Sequence, residues 1–208
     1  MSAVTRKISK EPISYDRSYT YEEWMDIELP EGVWRMELVD GKLYAMASPG
    51  PSHQAISGEF TTQFTNYLRG KRCKVYHGIE VRITKNTVYV PDLVVVCDLS
   101  RLTDRGYEGT PDLIIEILSP SNSRHDRITK LKAYRKAGVQ EYWIVDPENH
   151  SVEAYRMAND LYWVTVYEEW EKLSPMALPG FEIDLSLVFS EEVFSEEEFP
   201  EKNQEDDQ

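Results

Sequence analysis

The chain has 208 residues, a length that suits one globular domain with terminal extensions. Its content of 41% hydrophobic residues excludes a largely disordered chain, and no apolar stretch approaches the ~18 residues of a membrane-spanning helix. The net charge of -14 argues against a protein whose whole surface binds phosphate groups, because such surfaces are basic.

The negative charge is unevenly distributed along the chain. Residues 191–208 hold nine acidic residues and one lysine, which is more than half of the net charge. In contrast, residues 69–74 hold four basic residues and no acid, and residues 123–138 hold six basic residues and one acid. Each basic stretch is either a solvated face or an anion-binding surface. We predict a flexible segment over residues 1–17, one domain over 18–190 and a disordered acidic tail over 191–208.

The N-terminal sequence MSAVTRKISKEP lacks the apolar segment of a secretory signal. We therefore expect a cytoplasmic protein. The two cysteines, Cys73 and Cys97, do not have a zinc-binding CxxC spacing. In a cytoplasmic protein they are expected to be reduced thiols.

The first half of the domain contains signals for a helix, a hairpin and a longer helix. Thr20 and Glu23 form a capping-box pattern that predicts a short helix ending before Pro30. The alternating segment WRMELVDGKLYAMA turns at Asp40-Gly41 and predicts two antiparallel strands. Apolar residues at helical spacing predict a helix over 52–68.

The second half indicates a mixed α/β fold. The segments CKVYHGIEVRIT and TVYVPDLVVVCD each predict a strand, and PDLIIEIL predicts another after a loop rich in Gly, Asp and Arg. A helix over NSRHDRITKLKAYRKAG and a strand over QEYWIVDP complete a right-handed strand-helix-strand unit. The segments HSVEAYRM and LYWVTVYEEW predict a hairpin, and FEIDLSLVF predicts a last packing element.

Two carboxylates interrupt the aliphatic strands. Glu116 lies inside PDLIIEIL, and Asp92 lies at the start of the aliphatic run in VPDLVVV. An ionised carboxylate in a buried strand is costly unless a cation meets it. If the strands are neighbours, the two side chains converge on one face and suit Mg²⁺ or Mn²⁺. The alternative is one carboxylate that caps a turn and another in a structural ion pair.

The helix that follows supplies a positive charge. At 100° per residue, Asp126, Lys130 and Tyr134 share one side of the helix, whereas Lys132 and Lys136 lie opposite. Lys130 is therefore on the face that packs on the sheet, and Asp126 is placed to fix its direction. The alternative is a simple helix salt bridge four residues apart.

Together these residues predict metal-assisted attack on a phosphodiester. The carboxylates hold the cation, which polarises the phosphate and activates a water molecule, while a lysine orients that water or neutralises developing charge. The sequence contains neither a convincing nucleophilic triad nor a glycine loop of the P-loop type.

The run PDLIIEILSPSNSRHDRITKLKAYRKAGVQEYWIVDP, with the upstream MELVDGKLYAM, His53 and VPDLVVV, resembles the Uma-type endonuclease family of the PD-(D/E)XK superfamily. The resemblance covers roughly residues 20 to 190. It implies a restriction-endonuclease-like mixed sheet flanked by helices, with extra N-terminal and C-terminal hairpins. It also implies a Mg²⁺ site, with Mn²⁺ as a substitute, built from Asp92 and Glu116.

The chain departs from the superfamily pattern at one catalytic position. Leu118 stands where an ExK motif has lysine, and Lys130 with Asp126 matches the Uma-type pattern for a migrated lysine. Glu37 and His53 also match family positions. The resemblance implies a metal or acid-base role for Glu37.

The role of His53 stays open between the site and a backbone hydrogen bond. Ser119 and Ser121 are expected to shape the turn after the strand. The aromatic strands from 141 onward either pack in the sheet or offer bases a stacking surface, and packing is the commoner use.

Three functions follow from this sequence. The first is a Mg²⁺-dependent endonuclease acting on DNA, for which a homodimer would suit double-strand cleavage. The second is a catalytically inactive nucleic-acid-binding or regulatory protein on the same scaffold. The third is a small-molecule phosphohydrolase, which needs a closed pocket instead of an open groove.

Overall fold

The described residues form thirteen β-strands and four α-helices. The structure is a computed structural model and describes residues 13–119 and 123–190. Its strands are β1 (Arg35–Val39), β2 (Lys42–Met46), β3 (Lys74–His77), β4 (Glu80–Thr84), β5 (Thr87–Tyr89), β6 (Leu93–Val96), β7 (Gly106–Glu108), β8 (Leu113–Ile117), β9 (Glu141–Asp146), β10 (Ser151–Ala158), β11 (Leu161–Glu168), β12 (Lys172–Leu173) and β13 (Ile183–Asp184). Its α-helices are α1 (Tyr21–Met25), α2 (Pro51–Leu68), α3 (Leu131–Ala137) and α4 (Leu185–Val188).

The strands form two main sheets. The central sheet has the order β11-β10-β9-β8-β6-β3, in which β8 and β9 are parallel and the other neighbours are antiparallel. The second sheet has the order β2-β1-β5-β4-β7, and β12 pairs with β13. The mixed α/β fold with flanking helices is therefore confirmed, as is the parallel pairing of the two strands joined through α3.

The N-terminal helix and hairpin are present as the local sequence patterns predicted. Thr20 and Glu23 make both hydrogen bonds of the capping box at the start of α1. Asp40 and Gly41 both have positive φ angles, 48° and 80°, which is the backbone of a tight hairpin turn between β1 and β2.

Two segments that predict single strands are instead divided between the two sheets. Residues 73–84 form β3 and β4, with a break at Gly78, where φ is 62°. Residues 87–98 form β5 and β6, with a break at Pro91 and Asp92. Proline cannot donate a ladder hydrogen bond, so the chain leaves one sheet there and enters the other. The crossing places Asp92 immediately before β6.

The loop that precedes β8 also has more structure than its composition predicts. It contains a 3₁₀ turn over Leu99–Arg101 and the short strand β7, which extends the second sheet beside β4.

The central sheet is covered on both faces, and β8 shows how. Its residues Leu113, Ile115 and Ile117 join the apolar cluster that contains α2. Ile114 and Leu118 join the cluster that contains α3 and the second sheet. Because side chains alternate along a strand, Glu116 projects to the α3 side, between two apolar neighbours.

The helix before α3 has wider turns than the sequence predicts. His125–Lys130 forms a π-helical segment, in which the N–H of Leu131 donates to the carbonyl of Asp126. The regular α-helix follows and ends at Gly138, whose φ is 80°. Such wide segments are rare and are found frequently at functional sites.

The prediction of reduced thiols is wrong, because Cys73 and Cys97 form a disulfide. The antiparallel register of β3 and β6 pairs Lys74 with Val96. One residue further along, the two cysteines lie directly opposite each other. The separation of 24 residues in the sequence concealed this contact.

Some predictions lie outside the described residues. These are most of the flexible N-terminal segment, the acidic tail over 191–208, and the turn role of Ser121. Among the residues that the structure describes, no helix is both long and apolar enough to cross a membrane.

Two glycines test the packing of the second sheet. A Cβ on Gly106 would overlap the backbone of Glu80 on the paired strand β4, whereas a Cβ on Gly58 would meet nothing within 4 Å. We expect Gly106→Ala to lower the free energy of unfolding by about 1–3 kcal/mol. Gly58→Ala, in the exposed middle of α2, should raise it by about 0.5–1 kcal/mol. Urea unfolding measures both, and equal effects would contradict the close approach of β7 to β4.

Candidate active site

Asp92 and Glu116 come together because β6 and β8 are neighbours. The register pairs Leu93 with Ile115, so Asp92, one residue before β6, lies across from Glu116. The backbone N–H of Ile117 donates to Oδ2 of Asp92 at 2.8 Å, which fixes the carboxylate against the strand. The side chains of Asp92 and Glu116 therefore lie together, as the sequence predicted for neighbouring strands.

Lys130 is buried among three carboxylates. Its side chain has no exposed surface. Its Nζ lies 2.8 Å from Oε1 of Glu116, 3.0 Å from Oε1 of Glu37 and 3.3 Å from Oδ1 of Asp126. The hydroxyl of Tyr134 donates to the same Oε1 of Glu116 at 3.1 Å. The helix therefore places the ammonium group of Lys130 beside Glu116. This agrees with the prediction that Lys130 lies on the face of the helix that packs on the sheet.

The charges of this cluster depend on one another. Burial raises the pKa of Glu116 well above its ordinary value, and the three neighbouring carboxylates add to this, although Lys130 opposes it. Burial also favours the neutral form of Glu37, but Lys130 and two hydrogen bonds outweigh it and lower the pKa of Glu37 to about 2. Burial disfavours the charged form of Lys130 too, but its carboxylate partners raise the pKa of Lys130 well above its ordinary value. Lys130 is thus a protonated ammonium group, whereas burial favours the neutral form of Glu116, and a further cation bound beside it would favour the ionised form.

A cavity of about 230 Å³ opens over these residues. Three carboxylates line it, those of Asp92, Glu116 and Asp126. Lys130 and Glu37 do not line it and have no exposed side-chain surface. Lys130 therefore lies behind the carboxylates and contacts them, where the sequence predicted a lysine facing the phosphate or orienting a water molecule.

Glu37 and His53 hold different parts of the site. Oε1 of Glu37 accepts the N–H of Val90 at 3.0 Å, and its Oε2 lies 3.2 Å from Nε2 of His125. Nε2 of His53 lies 3.1 Å from Oδ2 of Asp92. Its Nδ1 is buried and has no hydrogen-bond partner within the described residues. His53 thus contacts a site carboxylate.

Three further residues belong to the site and were not proposed as functional from the sequence. Arg35 lines the cavity, and its Nη2 lies 3.5 Å from Oδ1 of Asp92. His125 pairs with Glu37 and stacks on Tyr44, while Tyr134 binds Glu116. A signal for Arg35 was available, since it lies two residues before Glu37 and shares its face of β1. No comparable signal identifies His125, because its partners come from distant strands.

The donor set fits a divalent cation. Within residues 13–119 and 123–190, no three His, Cys, Asp or Glu side chains are arranged closely enough to surround a metal ion. Mg²⁺, however, is usually held by one or two carboxylates together with water and substrate phosphate oxygens. Asp92 and Glu116 supply such oxygens to one cavity, and Asp126, whose Oδ1 lies 3.3 Å from Nζ of Lys130, lines the same cavity.

The charge balance of the site supports the same conclusion. The site contains more carboxyl groups than permanently charged cations. The four carboxyl groups are those of Glu37, Asp92, Glu116 and Asp126, and the two cations are Arg35 and Lys130. Burial raises the pKa of Glu116 and Asp126, so a dication in the cavity would both favour their ionised forms and balance the resulting negative charge.

Comparisons with known proteins agree with this architecture. The family described as "Uma2: Putative restriction endonuclease" matches residues 21–186. An uncharacterised protein of Synechocystis sp. is 29% identical over 157 residues, which is 74% of this chain and 82% of that protein. A second uncharacterised protein of the same organism is 23% identical over 135 residues, 62% of this chain and 76% of its own length.

A solved structure shares the fold. The crystal structure of "a putative nuclease belonging to DUF820" from Anabaena variabilis superposes with a TM-score of 0.69 at 22% identity. The match covers 83% of this chain and 98% of that one. Because the family match spans most of the domain, this chain belongs to the Uma2 family of restriction-endonuclease-like proteins.

Proposed function

We propose that the protein is a divalent-metal-dependent endonuclease that hydrolyses phosphodiester bonds in DNA. The observation that carries the proposal is the pair of carboxylates, Asp92 and Glu116, side by side on one cavity wall and backed by a buried ammonium group. The family described as a restriction endonuclease supports the reaction class and the choice of DNA.

Asp92 and Glu116 would hold Mg²⁺, or Mn²⁺ in its place, and Asp126 would add negative charge beside it. When bound, the cation supplies Lewis-acid polarisation of the phosphate and a water molecule of lowered pKa. Glu37, which the sequence suggested as a further ligand or acid-base group, does not line the cavity and is instead proposed to hold Lys130 and His125.

The chain's own residues keep the carboxylates oriented. Lys130 and Tyr134 both donate to Oε1 of Glu116, which leaves Oε2 of this residue for the cavity side. The N–H of Ile117 and the ring of His53 hold Oδ2 of Asp92. Arg35 is the cation that lines the cavity, so we assign it the role of binding the substrate phosphate.

The shape of the surface supports a chain-like substrate over a small phosphate ester. A second cavity of about 420 Å³ shares Arg35, His53 and Asp92 with the first. A third, of about 310 Å³, shares His53 and Ser119. The three cavities therefore adjoin one another around His53, and such a joined surface, larger than one closed pocket, suits a nuclease.

Metal binding is the direct test of this proposal. Titration calorimetry with Mg²⁺ or Mn²⁺ should detect binding to the wild type, and Asp92→Asn and Glu116→Gln should each weaken it at least about tenfold, because each removes a charged ligand. Nicking of supercoiled plasmid should require the metal and fall by about 100-fold or more in both variants.

Glu108→Gln is the control, since Glu108 is an exposed carboxylate paired with Arg82 on the second sheet. It should leave binding and nicking unchanged. Metal binding that survives in both site variants would contradict the assignment of ligands. Metal binding without nicking would favour a non-catalytic role for this scaffold.

Removal of the buried cation should destabilise the fold. Lys130→Met leaves three buried carboxylates without their ammonium partner, so the free energy of unfolding in urea at pH 7 should fall by about 3–5 kcal/mol. Lys132→Met, on the exposed side of the same helix, should change it by less than about 0.5 kcal/mol. Equal stabilities of the two variants would show that the cluster does not depend on Lys130.

A further inference from the structure

A second cavity that contains the indole ring of Trp34 borders the candidate active site. The cavity of about 420 Å³ beside the carboxylates shares Arg35 and Asp92 with the first cavity. The residues that line it but do not line the first cavity include Trp34, Gln54, Ser57 and His77. A ligand that reaches from one cavity to the other therefore meets an anion-binding side chain and an aromatic ring in succession.

Trp34 is exposed although the fold has apolar clusters beside it. The residue is 44% exposed, whereas Trp24 and Trp143 are buried. Its backbone N–H donates to the carbonyl of Met46 at 3.1 Å, which anchors it at the open end of the hairpin of β1 and β2. Trp163 and Trp170 are also exposed, but they belong to the segment around β11 and do not line this cavity. Trp34 is thus the indole placed where substrate would pass.

Arg35 links the indole to the carboxylates. Its guanidinium carbon lies 3.8 Å from the centroid of the Trp34 ring. One nitrogen of the same group donates to the carbonyl of Val90 at 2.6 Å, and the other lies 3.5 Å from Asp92. Only one guanidinium group therefore separates the indole from Asp92. This order of groups, a carboxylate, a cation and an aromatic ring, follows the order of phosphate and base in a nucleotide.

We propose that this second cavity is a nucleobase subsite, in which an unpaired base next to the reacting phosphodiester stacks on Trp34. The inference rests on the proposed nuclease function and adds the substrate class. A base inside a duplex is stacked between its neighbours and must leave that stack, at a cost of about a few kcal/mol, before it can enter such a cavity. The preferred substrate is accordingly single-stranded or locally unpaired nucleic acid. Gln54 and His77 are the side chains placed to meet the polar edge of the base.

The test compares binding of two single-stranded probes in Ca²⁺, measured by fluorescence anisotropy. One is a labelled oligothymidine of twelve nucleotides, and the other has the same length but carries abasic sites throughout. Trp34→Ala should weaken binding of the oligothymidine about 5- to 150-fold, the range for loss of one stacked base. It should leave binding of the abasic probe unchanged. Trp34→Phe, which keeps a ring, should lie within about threefold of the wild type.

Trp170→Ala is the matched control, because Trp170 is 72% exposed and lies outside the cavity. It should bind both probes as the wild type does. Equal weakening of both probes by Trp34→Ala would overturn the inference, because it would mean that the indole only supports Arg35. No weakening of either probe would overturn it as well.

Failure of the subsite is distinguishable from failure of the nuclease. Metal-dependent nicking by the wild type together with binding that does not depend on Trp34 would overturn the subsite alone. Binding that depends on Trp34 and on the bases, without any metal-dependent cleavage, would support the subsite and overturn the nuclease.

Discussion

The ammonium group of Lys130 is the interaction on which the site depends. It has no exposed surface and lies within 3.3 Å of carboxylate oxygens from three different elements, namely β1, β8 and its own helix. A buried carboxylate without a cation costs several kcal/mol, and here three carboxyl groups share one cationic partner. This shared cation explains how the aliphatic strand β8 tolerates Glu116. It also joins the second sheet to the central sheet, since Glu37 reaches it from β1.

The crossing of the chain between the two sheets is the second constraint. Pro91 separates β5 of the second sheet from β6 of the central sheet, so Asp92 lies where the chain crosses between the two sheets. From there it accepts the N–H of Ile117 and contacts His53 and Arg35. A continuous strand over the same residues would have kept Asp92 within one sheet. The cavity lies at this crossing, where Val90, Asp92 and Glu116 are among its lining residues.

The proposed nuclease function requires local positive charge, because the net charge of the chain is -14. Arg35, which stacks on Trp34, and a bound dication would supply it. In the proposed complex, affinity would come less from a broad basic surface than from the metal, Arg35 and base stacking. The position of Arg35 between Asp92 and Trp34 suits that arrangement.

Local and periodic signals determined much of this protein from the sequence by itself. The capping box at Thr20, the Asp40-Gly41 turn, the length of α2 and the inward face of Lys130 all depend on neighbours within a few residues. Glu116 stands out within an aliphatic strand for the same reason, because the run of apolar residues around it predicts that the strand is buried. Only the tertiary structure decided that Cys73 meets Cys97, that two predicted strands divide between sheets, that Lys130 lies behind the carboxylates, and that His125 and Trp34 border the site. These features depend on strand order and register between distant segments, which a single sequence does not encode in any local pattern.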